Sequence, residues 1–324
     1  FGTNCDRCHG PGSRHVERYT RRSLYKDDPN TYIVTQTKLD NVRNSMVCAQ
    51  CHSFRDIMAP GFTAGEDYFD YFLPLLEYAQ AEDSEEPVWY VDGRTRRFST
   101  NGLAFWQSEC FLKGKAACTT CHNDSHVLEI EANDQLLPTN SSLCAGCHAA
   151  IAEDITAHTH HPPTSTGSSC VECHMPKTLF SIKTQMRDHS ITVPTPENTV
   201  RFGVPNACNL CHDDKSPEWA VETMRAWYPG STAREKLMTR ADVYFRARKS
   251  DKTVLDRLYA LAANQDESPL ARANALGYLD RFPTDPRVIP ALLRASADEH
   301  PMVRATAMSR LGLIEGIDLA RVQP

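Results

Sequence analysis

The pattern of apolar and polar positions changes at about Asp214. Beyond it, helices follow one another to the end. Ser216-Pro217-Glu218 opens the first, with serine as N-cap and proline in the first turn. An internal repeat then appears at an offset of 32 residues. Ala260 to Pro269 aligns with Leu292 to Pro301, and Arg272, Ala273, Ala275 and Leu279 align with Arg304, Ala305, Ala307 and Leu311. Paired helices repeating at this length predict a short HEAT-like solenoid whose concave face would dock a partner. The alternative is a plain helical cap on the rest of the molecule. His300 stands where the first copy has Ser268, so it reads as a helix cap.

Before Asp214 the pattern is more broken. Residues 16–45 read as partly extended, with Thr31-Tyr32-Ile33-Val34-Thr35 a short strand. Glu82 to Pro87 is an acidic, solvated loop. Val88 to Arg94 holds an Asp92-Gly93 pair that predicts a hairpin turn. No apolar run approaches the length of a membrane span. The chain therefore divides into residues 1–215 and residues 216–324.

Cysteine explains the first part. Twelve of the thirteen cysteines fall in six C-x-x-C-H motifs. These are Cys5-Cys8-His9, Cys48-Cys51-His52, Cys118-Cys121-His122, Cys144-Cys147-His148, Cys170-Cys173-His174 and Cys208-Cys211-His212. The pattern is that of covalent haem attachment: two thiols add to the two vinyl groups of one haem, and the adjacent histidine supplies the proximal ligand to iron. Zinc knuckles do not require a histidine after every second cysteine. The motifs at Cys118, Cys144 and Cys170 follow each other by 26 residues, a spacing suited to haems packed in a row. The predicted fold is mainly α with much irregular structure. Six haem c groups organise the first part, and the second is an all-α HEAT-like repeat. Trp89, Tyr90, Phe98, Phe105 and Trp106 would pack either on porphyrin faces or in an ordinary core. Cys110, the odd cysteine, reads as a small buried hydrophobe, with a reactive thiol as the alternative.

The formal charge is −6. Six bis-histidine haems with ionised propionates would take it to about −12. That disfavours nucleic acid as a partner and favours a basic redox protein, another cytochrome or a mineral. Haem attachment of this kind occurs outside the energy-transducing membrane, so the chain is expected in the periplasm or at the cell surface. No signal peptide is present, and Phe1 stands four residues before the first motif cysteine, so the export signal is expected to have been removed or to lie upstream.

Seven histidines remain beyond the six proximal ones. With His300 set aside, His15, His126, His158, His160, His161 and His189 are the distal candidates, one for each iron. Asp188 or a backbone carbonyl would orient the His189 imidazole through its other ring nitrogen. His160 and His161 are adjacent, which makes it hard for both to reach iron. If one fails, a haem takes a methionine (Met46, Met58, Met175 and Met186 stand near the motifs), an upstream residue or a neighbouring subunit's histidine, or stays open.

The chain resembles the exported multihaem cytochromes c. The resemblance rests on Cys8-His9-Gly10-Pro11-Gly12-Ser13-Arg14-His15, and on the His158-x-His160-His161 run before Cys170-Val171-Glu172-Cys173-His174-Met175-Pro176. Arg187-Asp188-His189-Ser190 and Pro205 to His212 match as well. Members often end in helical repeats and have a further segment before the Gly-Pro-Gly turn; its absence here implies that Phe1 is not the natural start or that something was trimmed. The resemblance implies electron transfer along closely packed haems, with end-to-end assembly of subunits into a conductive filament as the sharper form. The competing expectation is an oxidoreductase acting on a small nitrogen or sulfur compound at one open haem. All six motifs end in histidine, which favours a carrier over an enzyme. A subunit of a larger complex, docked through the helical repeat, is a third.

Overall fold

The computed structural model describes residues 4–26, 28–80, 87–97, 100–122, 134–137, 139–180 and 184–314. The helices of the first part are short. α1 (Cys5–His9), α2 (Ser13–Thr20) and α3 (Asn41–Ala49) come first. Asp40 starts α3 by accepting the Arg43 amide at 2.8 Å. Strands β1 (Arg55–Ile57) and β2 (Phe72–Pro74) pair antiparallel, Arg55 opposite Pro74. Then come α4 (Asn101–Phe105), α5 (Glu109–Leu112), α6 (Cys118–Cys121), α7 (Ser142–Cys147), α8 (Ala149–Glu153), α9 (Ile155–Thr159) and α10 (Cys170–His174). A two-residue pair, β3 (Leu179–Phe180) with β4 (Gln185–Met186), precedes α11 (Pro196–Phe202) and α12 (Ala207–Cys211).

The strand expected at Thr31 to Thr35 does not form. Tyr32 takes a left-handed conformation (φ 57°) inside a turn where Asp28 and Asn30 side chains accept backbone amides. The Val34 amide then bonds the His9 carbonyl at 2.9 Å, which ties the segment to α1 instead of a sheet. The Asp92-Gly93 turn does form. Tyr90 and Arg94 close it at 2.8 Å, Gly93 supplies φ 81°, and Trp89 bridges Thr95 antiparallel. The acidic loop and Phe98 lie outside the described residues.

The second part is longer-helical. α13 (Pro217–Trp227) is capped by Ser216, whose hydroxyl accepts the Trp219 amide at 3.2 Å. α14 (Thr232–Arg248), α15 (Leu255–Ala263), α16 (Pro269–Gly277), α17 (Val288–Ala295) and α18 (Pro301–Leu311) complete it. The internal repeat is realised as two successive helix pairs, α15–α16 and α17–α18. Ser268 accepts the Ala271 amide at 3.1 Å, and His300 Nδ1 accepts the Met302 amide at 3.2 Å. His300 is therefore a cap, and Arg272 joins the two pairs through Asp298.

The two parts share one core. Met46, Tyr68, Phe72, Leu76, Trp89, Leu103, Phe105 and Trp106 are buried with Tyr244, Leu258, Leu276, Leu279, Leu292 and Met302. The segment Phe69 to Tyr78 lies against α16 and α18. The Tyr78 amide donates to Asn274 Oδ1 at 3.1 Å, and Phe69 meets the His300 ring edge-on at 5.5 Å. Gly277 makes room for Tyr78: a Cβ there would stand 2.2 Å from its ring. Glu77, with 0 % exposure, bonds Arg248 and the Tyr278 hydroxyl, and burial pushes its carboxyl up to about 7. This face of α16 and α18 is thus taken by the chain's own first part. Among the described residues no helix is long and apolar enough to cross a membrane.

Candidate haem-attachment sites

Five of the C-x-x-C-H motifs sit on a short helix, and the second begins in the last turn of α3, with Cys51 and His52 just beyond its end. The turn is closed by the histidine amide donating to the first cysteine's carbonyl: His52 to Cys48 at 3.0 Å, His122 to Cys118 at 2.9 Å, His148 to Cys144 at 2.8 Å and His212 to Cys208 at 2.9 Å. Cysteines at i and i+3 then share a helix face, with the histidine beside them. Free cysteine is among the most buried residue types. Here none of the thirteen is buried. α1, α6, α7 and α10 likewise contain no buried residue.

Consecutive motifs are neighbours in space. Cys51 is close enough to Cys8 to raise its thiol further after burial has done so. The Cys48 thiol is hydrogen-bonded to that of Cys118, which raises Cys48 and lowers Cys118. Cys144 stands in the same relation to Cys170. Burial raises Cys121, with Cys147 among its neighbours, and pushes Cys173 up to about 11, with Cys208 and Cys211 beside it. These shifts belong to free thiols and vanish on thioether formation; the adjacency does not. Cys110 packs half-buried on the core near Cys147 and Cys121, consistent with a small hydrophobe.

Three motif histidines face a histidine from elsewhere in the chain. The ring centroids of His122 and His189 are 6.3 Å apart with planes at 16°. Those of His158 and His174 are 6.0 Å apart at 13°, and those of His161 and His212 are 6.1 Å apart at 34°. These separations lie at the long end of ring contacts. They also match two imidazoles that would share one iron: with Fe–N bonds of about 2 Å and centroids about 1.1 Å behind each nitrogen, the expected value is about 6.2 Å.

Hydrogen bonds orient the rings the same way. Nδ1 pairs with a backbone carbonyl in His9 (Val34, 2.8 Å), His15 (Thr31, 2.7 Å), His161 (Thr159, 2.6 Å), His174 (Thr192, 2.9 Å) and His189 (Arg187, 2.9 Å). A bond of this kind at Nδ1 makes Nε2 the nitrogen through which such an imidazole would ligate. Burial lowers the pKa of His52, His122, His158 and His189, which favours the neutral, ligating form. For His189 the orienting group is the Arg187 carbonyl. Asp188 instead accepts from Ser190 and pairs with the buried Arg94 at 3.4 Å.

The remaining candidates behave differently. His160 stacks on Trp227 at 4.2 Å and 17°, in a left-handed conformation (φ 57°). His15 tilts over Tyr19 at 4.7 Å. His148 is exposed between α7 and α8, and among the described residues no histidine ring stacks on it or on His15. His126 lies outside the described residues. Met46 is buried, its sulfur accepting the Tyr68 amide at 3.4 Å. Trp89, Phe105 and Trp106 are in the protein core, so core packing is their role.

Sequence reasoning missed a clamp and a wall. Arg187 donates to the Val171 and Met175 carbonyls at 3.1 and 3.0 Å and pairs with Glu172 at 2.6 Å, bracing α10. Trp219, Trp227 and Tyr228 of the α13 segment lie against His212, His160 and His158. The spacing of Trp219 and Trp227, about two helical turns, was the available signal.

Residues 153–241 match the cytochrome c552 family model. That stretch holds the last two motifs and the start of the helical part, about a quarter of the chain. No curated protein matches. Among solved structures the chain is similar to the outer cell wall cytochrome OcwA, at 17% identity, over 95% of this chain and 69% of that one, with a TM-score of 0.45.

Proposed function

We propose that this chain is an exported hexahaem cytochrome c that carries electrons along a row of haems. The observation that carries the reading is the set of three cross-segment histidine pairs at 6.0–6.3 Å, each including a C-x-x-C-H histidine. When bound, haem c supplies reversible one-electron exchange at iron. The chain's own residues do the rest. Cys5, Cys8, Cys48, Cys51, Cys118, Cys121, Cys144, Cys147, Cys170, Cys173, Cys208 and Cys211 hold the rings. His9, His52, His122, His148, His174 and His212 would supply the motif imidazoles to iron, and His158, His161 and His189 would supply the second imidazole at three of the sites. Carbonyls on Nδ1 fix imidazole orientation, and α13 keeps water from the last two sites. The sequential neighbourhood of the motifs supports an electron path running from the first to the sixth. Basic redox proteins, other cytochromes or a second copy joined end to end are the partners this path would serve.

A second reading is favoured by the His160–Trp227 stack. It leaves fewer distal histidines than irons. One haem would then be open, or closed by another copy's histidine, and an open haem would make the protein a reductase or oxidase of a small nitrogen or sulfur compound. Low-temperature EPR of the oxidised protein, quantified against haem content by pyridine haemochrome, decides. Six low-spin irons support the carrier. A high-spin iron that binds nitrite, hydroxylamine or cyanide supports the enzyme. A haem count well below six overturns the hexahaem assignment.

A further inference from the structure

We propose that Trp227 is a positioning residue that assigns His161, and not the adjacent His160, to the sixth iron, and sets the twist of that ligand against His212. The inference rests on haem attachment at Cys208 and Cys211.

Two neighbouring histidines compete for one place. They follow the last turn of α9, where His160 adopts φ 57°. A left-handed β-carbon-bearing residue costs about 1 kcal/mol, so something must hold the turn. Trp227 lies flat on the His160 ring at 4.2 Å and 17°. The same indole meets the His161 ring edge-on, at 6.1 Å and 86°. One side chain thus holds His160 away and walls in His161. The Tyr228 hydroxyl donates to the His158 carbonyl and ties the start of the turn to the same helix end.

The other side of His161 is closed by Gly167. A Cβ on Gly167 would lie 2.3–2.8 Å from the imidazole, so only glycine leaves the ring its place. Thr159 O accepts from Nδ1 at 2.6 Å. His161 is therefore held by a carbonyl at Nδ1, a glycine floor and an indole edge, which leaves Nε2 as the nitrogen that would reach iron. The opposing His212 ring is leaned on by Trp219 at 5.0 Å and 56°. The result is an interplanar angle of 34°, against 16° and 13° in the pairs His122–His189 and His158–His174. The mutual angle of two axial imidazoles governs the splitting of the iron d orbitals, and so the g-anisotropy and potential of a low-spin haem. The sixth haem is set apart from the third and fifth by aromatic side chains of α13.

The test is low-temperature EPR with redox titration of the full-length holoprotein and four variants. His160→Asn keeps a residue that tolerates the left-handed turn and removes the imidazole; all low-spin intensity of the wild type should remain. His161→Ala should convert one haem's worth of low-spin signal to high-spin. Trp227→Leu should shift the largest g-value and the potential of one haem, and Trp227→Phe, which keeps an aromatic face, should restore both. Loss of a low-spin haem in His160→Asn, with none in His161→Ala, would overturn the assignment. An unchanged spectrum in Trp227→Leu would overturn the positioning role. Mass spectrometry of the peptide carrying Cys208 and Cys211 separates the two levels: no haem mass there removes the cytochrome reading at that site, and the present inference with it.

Discussion

Four of the helices that carry cysteine motifs and the helices that follow Ser216 are built on opposite terms. α1, α6, α7 and α10 bury no residue of their own. α16 buries eight of its nine, from Leu270 to Gly277. The second set is held by apolar burial at about 25 cal/mol per Å². The first is held by single helical turns, carbonyl–imidazole bonds and the Arg187 clamp. Helices of four to six residues are not stable by themselves. The difference teaches that these four motif helices, unlike those after Ser216, are not held in place by burial of their own side chains.

Four outcomes would break or sharpen that contrast. The largest effect is expected from withholding haem. In chain made without haem attachment, α1, α6, α7 and α10 should lose hydrogen-exchange protection while α14–α18 keep theirs; equal protection in both sets would end the comparison. Next is Glu77→Ala. It leaves the half-buried Arg248 guanidinium without its carboxylate and should cost about 3 kcal/mol, read as a fall in the denaturation midpoint. Because Glu77 joins the two parts, both should melt earlier. Gly277→Ala forces a methyl onto the Tyr78 ring and should cost about 1–3 kcal/mol by the same measurement. A neutral result would mean that Tyr78 has room to move.

The smallest effect concerns pH. Burial lowers the His300 imidazole from 6.5 to about 4. Between those values the unfolded chain binds a proton that the native chain does not, so stability falls as pH drops from 6.5 towards 4. His300→Ser copies the Ser268 cap of the first helix pair and should flatten that slope while keeping the cap bond. Denaturation midpoints at neutral and acidic pH check it; an unchanged slope would assign the dependence to other groups.

Local chemistry was legible without coordinates. Six C-x-x-C-H motifs announce where haem would attach, because two thioether bonds and one ligand fit a single helical turn. Ser216 and His300 announce caps, because a cap needs only a side chain and a nearby amide. The strand read at Thr31 to Thr35 failed because Val34 found its partner in His9, a pairing that propensity cannot see. Packing across position 214 was not legible: Tyr68, Trp89 and Leu103 share their core with Tyr244 and Leu279.

What the sequence determined by itself is the inventory: the C-x-x-C-H motifs, the pool of imidazoles, the caps and the internal repeat. The motifs and caps depend on neighbours within about one helical turn. Only the tertiary structure decided how the inventory is spent. It sets His189 opposite His122 across 67 positions, oriented by a carbonyl and not by Asp188. It lays His160 on Trp227 and leaves His161 facing His212. The physical reason is that an axial pair is fixed by distance and angle in space, and side chains adjacent in sequence, such as His160 and His161, can point to different places once a turn separates them.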